Sequence, residues 1–342
     1  MSDASRFLFI GCHPGAARVL KDEVARCWPD FRLAFSRRGF VTFKLPDGEA
    51  FSDDFDPKLM FARTHGFTVG KVTGSTADEC AAQLEPLLAG RQHDALHVWP
   101  RAESLVEATA VARKAILAAG LPVAEPAPTE QPSPMTSSLR VADVIVIEPT
   151  EWWLGFHVAT AMHLNWPGGI YPLEQPQHAV SRAYLKMSEA IAWSQLPIQS
   201  GETIAEIGCA PGGASQALLD RGLLVLGIDP AEVEPIVLAH PKFAHMRKRG
   251  HEVRRREFRK VRWLAADMNV APQYTLDTVE AIVTHPEVEI RGLLLTLKLL
   301  DWSLAAEIPN YLDRIRSWGY RDVKVRQLSH NRQEVCVCAL KG

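Results

Sequence analysis

Six residues between an apolar strand and a helix constrain this chain more than any other stretch. Residues 203–229 read TIAEIGCAPGGASQALLDRGLLVLGID. Ile204, Ala205 and Ile207 flank Glu206 in a short apolar strand, and the chain then breaks at Gly208-Cys209-Ala210-Pro211-Gly212-Gly213. A helix is predicted over 215–221 and a second buried strand over 223–228, ending on Asp229. Strand, glycine turn, helix and strand make a βαβ unit. Glycines let a ligand approach the backbone closely, and the helix start beyond them offers unpaired N–H groups. A carboxylate at the end of the second strand can accept both hydroxyls of a ribose. The unit reads as a nucleoside pocket.

A dinucleotide fold carries G-x-G-x-x-G, built around a pyrophosphate. Here Ala210 stands where the second glycine belongs, and Pro211 follows it. Glu206 lies two residues before the first glycine, and an acid there repels a pyrophosphate while suiting a cationic ligand. S-adenosylmethionine, with an amino group and a sulfonium, meets that requirement better than NAD. The candidate cofactor contacts are Glu206, Gly208, Cys209, Ala210, Pro211, Gly212, Gly213 and Asp229, with Asp267 at the end of a later strand.

The formal net charge of the 342 residues is -2, which alone gives no reason to expect nucleic acid. Its distribution is more informative. Between 242 and 262, Arg247, Lys248, Arg249, Arg254, Arg255, Arg256, Arg259 and Lys260 stand against only Glu252 and Glu257. Such a run is ordinarily a solvated face, yet beside a nucleotide pocket it is as well placed to meet phosphates. Arg247, Lys248, Arg254, Arg255, Arg256 and Arg259 are the candidate RNA contacts. The six cysteines are scattered apart from Cys336 and Cys338, so neither a metal-binding C-x-x-C pair nor a disulfide framework is expected. No apolar run approaches the roughly 20 residues of a membrane span, and the N-terminus lacks a signal peptide's basic start and apolar core. The expectation is a cytoplasmic protein without metal.

Length points to about two domains at roughly 150 residues each. In the first half, strands are predicted over 7–10, 39–44, 68–72 and 95–99, and helices over 16–27, 58–63, 77–88 and 104–119. That alternation implies a small α/β or α+β sandwich. Residues 121–138 hold Pro122, Pro126, Pro128, Pro132 and Pro134 among small polar residues and read as a solvated loop within the first domain. Strands over 141–147 and 152–159 return to complete its sheet, and 166–169 with 172–177 form the linker. Domains are therefore drawn at 1–175 and 176–342. The second opens with a helix over 181–193 and, past the basic stretch, has strands over 261–266 and 292–297 that end on Asp267 and Lys298. A helix near Leu276 lies between them; a helix over 308–318 and strands over 320–327 and 334–340 close the chain.

Lys186, Asp267, Lys298 and Glu334 stand out as a set. Each alone is bland: a helix-surface lysine, a capping acid, a lysine at a strand end, an edge-strand acid. Lys298 is the least so, because it sits inside the run LLLTLKLL, where a lysine needs a partner or a role. The set resembles the K-D-K-E tetrad of the FtsJ-like ribose 2′-O-methyltransferases, falling on Lys186 in SRAYLKMSEA, Asp267 in LAADM, Lys298 in LTLKL and Glu334 in RQEVCV. WLGFHVATAMHLNWPGGI with the SRAYLKMSEA beyond it, and IGCAPGGASQALLDRGLLVLGID, look more narrowly like the M subfamily of large-subunit ribosomal RNA cytidine 2′-O-methyltransferases.

The resemblance implies an α/β fold whose C-terminal domain is a Rossmann-like S-adenosylmethionine methyltransferase, mostly parallel with an antiparallel terminal strand. It also implies an N-terminal α+β THUMP-like, ferredoxin-like RNA-binding domain. The implied activity is methylation of a ribose 2′-hydroxyl in RNA, above all large-subunit ribosomal RNA or its precursor. Three departures stand out. Arg247-Lys248-Arg249-Gly250 carries cations where related enzymes use acids to help hold adenine, LDWSLAAE after Lys298 lacks basic residues to grip RNA, and the Pro-rich loop of the first domain is unlike a compact THUMP domain.

A ribose hydroxyl is a poor nucleophile and must lose its proton as it attacks a methyl group. Lys186 accepts that proton only if its pKa falls toward neutrality, and a second cation, Lys298, together with partial burial would push it down. Asp267 and Glu334 would orient the lysines and limit that fall. Two rival readings are a catalytically silent RNA-binding protein that keeps the fold, and a methyltransferase for an acceptor other than ribosomal RNA. An intact tetrad argues against the first. Asp267-Met268-Asn269-Val270, where amino methyltransferases carry N/D-P-P-Y/F, argues against an amino acceptor.

Overall fold

The computed structural model describes residues 7–125 and 138–342, which divide into two compact units, Met1–Pro172 and Leu173–Gly342. Pro126, Pro128, Pro132 and Pro134 of the expected loop lie outside the described residues. The N-terminal unit contains strands β1 (Phe7–Cys12), β2 (Arg32–Arg37), β3 (Phe40–Lys44), β4 (Ala62–Thr73), β5 (Ala95–Pro100), β6 (Leu139–Glu148) and β7 (Glu151–Ala159). Its helices are α1 (Ala17–Cys27), α2 (Ala77–Ala82), α3 (Leu84–Leu88) and α4 (Val106–Ala118). The strands form one sheet in the order β2-β3-β1-β4-β7-β6-β5. Every pair is antiparallel except β5 with β6. The hairpin β6–β7 does return to this sheet, between β4 and β5. Leu84 of α3 and Ile116 of α4 pack with Val72, Leu96, Val144 and Leu154 of the strands, while Phe9, Phe40, Trp99 and Ile145 form a second cluster.

Buried polar groups lock this unit. Asp143 accepts a hydrogen bond from Trp99 Nε1 at 2.8 Å and meets His157 Nδ1 at 2.5 Å, and His157 Nε2 lies 2.9 Å from the Leu164 carbonyl. Burial opposes a charge on His157, but the Asp143 carboxylate outweighs it and holds the imidazole pKa up. Two segments differ from expectation. Residues 58–63 are not helical: the Glu23 carboxylate of α1 accepts from the backbone N–H of Met60 at 2.7 Å and of Phe61 at 3.2 Å, and β4 begins at Ala62. Trp166–Gly169 is not a linker. Arg63 Nε donates to the Gly168 carbonyl at 2.5 Å, and a Cβ at Gly168 would stand 2.8 Å from the Trp99 ring.

The C-terminal unit runs α5 (Ala183–Ser194), β8 (Thr203–Ile207), α6 (Gly213–Asp220), β9 (Leu224–Ile228), α7 (Pro235–Leu238), β10 (Phe243–Met246), β11 (Trp263–Ala266) and α8 (Pro272–Val283). It continues with β12 (Gly292–Lys298), α9 (Ile308–Ser317), β13 (Tyr320–Arg326) and β14 (Glu334–Lys341). The sheet order is β10-β9-β8-β11-β12-β14-β13. The first five strands are parallel, and β14 runs antiparallel to both of its neighbours. This is an open α/β sheet, mostly parallel, with the last strand of the chain inserted in reverse. The short edge strand β10 lies inside the basic stretch, where charge had hidden it. Helix α8 is continuous because Pro272 occupies its first turn, where a missing N–H costs nothing. Among the described residues no helix is long and apolar enough to cross a membrane.

The Asp143 cluster yields a stability prediction. Asp143→Ala leaves the Trp99 and His157 ring nitrogens facing a buried void, and losing one partner of such a pair costs about 3–5 kcal/mol. Urea denaturation of the full chain should show the N-terminal unit's transition at a clearly lower midpoint. An unchanged midpoint would show the cluster to be dispensable.

Candidate active site

The reversed strand brings the site together. Lys298 is the last residue of β12 and pairs in register with Glu334, the first residue of β14. Ala266 at the end of β11 pairs with Leu295 of β12, so Asp267 emerges at the same sheet end. Lys186 comes from the start of α5. Lys298 Nζ lies 2.6 Å from Asp267 Oδ1 and 2.5 Å from Glu334 Oε2, while Lys186 Nζ pairs with Glu334 Oε1 and stands 4.0 Å from Asp267 Oδ2. Side-chain exposure rises from 6% at Glu334 through 14% at Lys298 and 18% at Asp267 to 22% at Lys186. The cluster therefore opens on the Lys186 side. Ala183, Lys186, Ala266, Asp267, Thr296 and Asn331 line a cavity there.

Electrostatics fix the charge of Lys298. Burial pushes the Lys298 pKa down, but the Asp267 and Glu334 carboxylates outweigh it, so the ammonium is held charged above its usual range. Burial likewise pushes Glu334 up, and the Lys186 and Lys298 charges more than reverse it. Lys298 is thus a fixed cation sharing both acids. The Asp267 and Glu334 carboxylates lie between it and Lys186, in the orienting position expected of them.

The glycine turn also differs from its expected role. Gly208 has φ +84°, and a Cβ there would lie 2.6 Å from the Asp267 carbonyl; Gly212 has φ +118° with a would-be Cβ 2.9 Å from Val237. A Cβ at Gly213 would strike Ser181 Oγ. These glycines admit the protein's own chain, tying the turn to the strand end that carries Asp267. Ala210 N–H donates to Asp229 Oδ2 at 3.1 Å and Ala231 N–H to Oδ1 at 2.8 Å, which aims the Asp229 carboxylate beside the turn and Pro211. Glu206 is 1% exposed and accepts from Ser215 Oγ at 2.5 Å. Its carboxyl is thus buried and tied to the first turn of α6. Burial, with the Asp267 and Asp229 charges and against the Ser215 hydrogen bond, raises its pKa to about 8. Burial, with the Glu206 and Asp229 charges, pushes the Cys209 thiol up too, which disfavours a thiolate there.

The basic stretch is partly self-neutralised. Arg247 pairs with Glu232 at 3.2 Å, Arg256 with Glu257 at 3.2 Å, and Arg259 with Glu287. Arg255 donates to the Val253 carbonyl at 2.9 Å. Among the described residues no carboxylate pairs with Lys248 or Arg254.

Three polar residues escaped the sequence reading: Ser215 against Glu206, Asn331, whose Nδ2 donates to Glu334 Oε1 at 3.4 Å, and Glu189 on α5. Glu189 had a visible signal, an acid directly before the apolar run AIAW in a helix. The donor set suits S-adenosylmethionine: Glu206, Asp229 and Asp267 gather three carboxyl groups around one turn, a match for a cationic nucleoside and a poor one for a pyrophosphate. Among the described residues no group of three His, Cys, Asp or Glu side chains is placed to hold a metal ion.

Residues 179–310, most of the C-terminal unit, match the model of the FtsJ-like methyltransferase family. The chain is an S-adenosylmethionine-dependent methyltransferase. It is similar to the ribosomal RNA large subunit methyltransferase M of Halorhodospira halophila, 27% identical with 96% of this chain and 95% of that protein covered. Proteins of the same name from Laribacter hongkongensis and Azotobacter vinelandii are each 32% identical, the first covering 50% of this chain and 51% of its own, the second 50% of both. In these last two matches the chain spans about half the relatives' length.

Glu206 supplies a test of the cofactor cleft. With its pKa near 8 the carboxyl is mostly protonated at neutral pH, and a bound cation favours its ionised form. Binding S-adenosylmethionine at neutral pH should release a proton, detected as a heat that varies with buffer ionisation enthalpy. Well above pH 8 the group is already ionised and the release should vanish. Glu206→Gln should remove it at neutral pH, and a release that survives the substitution rules Glu206 out.

Proposed function

We propose that this protein transfers the methyl of S-adenosylmethionine to a ribose 2′-hydroxyl of RNA, with large-subunit ribosomal RNA or its precursor as substrate. The observation that carries the reading is the asymmetry of the tetrad. Lys298 holds both carboxylates at 2.5–2.6 Å, whereas Lys186 shares only Glu334 closely and lies on the open side. Lys298 stays an ammonium, fixing Asp267 and Glu334. Lys186, at the cavity wall, is the group that orients the 2′-hydroxyl and takes its proton. The bound cofactor supplies an electrophilic methyl on a sulfonium. Asp229 holds the nucleoside ribose, while Glu206 and Asp267 offset positive charge at the turn. Alignment of hydroxyl and methyl contributes much of the rate. Cys336 also lines the cavity, but burial pushes its thiol far up, which weighs against a covalent thiolate route to a base carbon.

The domains divide this work. Residues 1–175 act as a THUMP-like RNA-binding domain and 176–342 as the catalytic domain, a division supported by the two compact units and by the family match lying wholly in the second. Lys248 and Arg254, lacking carboxylate partners, are the phosphate contacts of the basic stretch; Arg247, Arg256 and Arg259 reach phosphate only by exchanging an ion pair. A silent RNA-binding protein would have no use for two lysines and two acids packed at the end of a buried strand.

Lys186→Met should lower single-turnover methyl transfer to ribosomal RNA by roughly 10²-fold or more, with cofactor affinity kept. Near wild-type rates would remove Lys186 as the base. Replacing Lys248 and Arg254 together by Gln should reduce the slope of log RNA affinity against log salt by about 0.7–0.9 for each phosphate no longer engaged. An unchanged slope would make the stretch a solvated face.

A further inference from the structure

We infer that Glu189 is a positioning residue that sets the catalytic tetrad by clamping the β13–β14 loop onto the helix bearing Lys186, an inference that rests on the proposed role of Lys186. Glu189 lies one helical turn beyond Lys186 on α5 and is 1% exposed. Its Oε1 accepts the backbone N–H of Ser329 at 2.7 Å, and its Oε2 that of His330 at 2.9 Å. Both oxygens of one carboxylate thus grip consecutive amides, the geometry that fixes a loop in both position and orientation.

That loop continues directly into the tetrad. Asn331 is 2% exposed; its Oδ1 accepts the Leu328 N–H at 2.9 Å, and its Nδ2 donates to Glu334 Oε1 at 3.4 Å. Glu334 Oε1 is the oxygen that pairs with Lys186. Gln327, also buried, donates to the Arg332 carbonyl at 2.6 Å and closes the loop's base. The contacts form a ring: Lys186, one turn of α5, Glu189, the Ser329–His330 amides, Asn331, Glu334 and back to Lys186. Helix and reversed strand come from distant parts of the chain, and the strand pairing of β14 fixes only Glu334 against Lys298. The Glu189 clamp is what fixes Glu334 against Lys186. Its loss should leave cofactor and RNA binding in place and misplace the proton acceptor.

The test is single-turnover methyl transfer with saturating S-adenosylmethionine and varied RNA, for Glu189→Gln, Asn331→Ala, the double variant and Lys186→Met in the full chain. Glu189→Gln keeps the size but turns one acceptor into a donor facing an N–H. It should lower the rate at saturating RNA by about tenfold to 10²-fold, the scale set by small misplacements, with half-saturating RNA and cofactor affinity within about twofold of wild type. Asn331→Ala should act in the same direction, and the double variant should be no slower than the slower single variant. A wild-type saturating rate for Glu189→Gln, or effects that add in full, overturns the clamp. Unchanged cofactor binding certifies the fold; should Glu189→Gln lose it, Asn331→Ala decides, and a wild-type rate there overturns the relay. An inactive Lys186→Met beside a fully active Glu189→Gln rejects the clamp alone, whereas an active Lys186→Met rejects both.

Discussion

Two carboxylates shared by two lysines are the interaction on which the catalytic unit depends. Burying four ionisable groups together is costly, and mutual attraction repays desolvation only when geometry and further hydrogen bonds are good. Here Lys298 meets two acids at 2.5–2.6 Å, and Asn331 supports Glu334 from behind. The antiparallel insertion of β14 makes this possible. A parallel strand at that position would put its far end, not Glu334, beside Lys298. Sheet topology and site chemistry are therefore one constraint.

The same sheet end gathers the acids of the cofactor cleft. Glu206, Asp229 and Asp267 come from three neighbouring strands, and Gly208 lets the turn approach the Asp267 carbonyl so closely that a side chain would collide. Asp267 thereby belongs to both halves of the site: it pairs with Lys298 and lies within electrostatic reach of Glu206. Charge on the tetrad and charge in the cofactor cleft are linked through one residue.

Much of this was readable in the sequence, for identifiable reasons. Lys298 could be picked out because it ends an apolar strand, the rest of the tetrad because the set resembles a family motif, and the βαβ unit because its glycines and apolar runs are local signals. Features set by residues far apart in the chain were not readable. Residues 58–63 look helical until the Glu23 carboxylate takes two of their amides. The glycines of 208–213 read as ligand-facing, yet the space they leave is filled by Asp267, Val237 and Ser181. Strand β10 disappears among arginines because its pairing with β9 shows no alternation. Glu189 is a local oddity whose meaning depends on a loop 140 residues away.

The central claim is that the acceptor is a ribose hydroxyl. Large-subunit ribosomal RNA from a strain lacking this protein, incubated with the purified chain and methyl-labelled S-adenosylmethionine, can be digested with alkali. A 2′-O-methyl blocks cleavage at its own position, so the label should appear in an alkali-resistant dinucleotide from one site. Label released in mononucleotides, which marks a methylated base, or no transfer to RNA at all, would contradict ribose methylation.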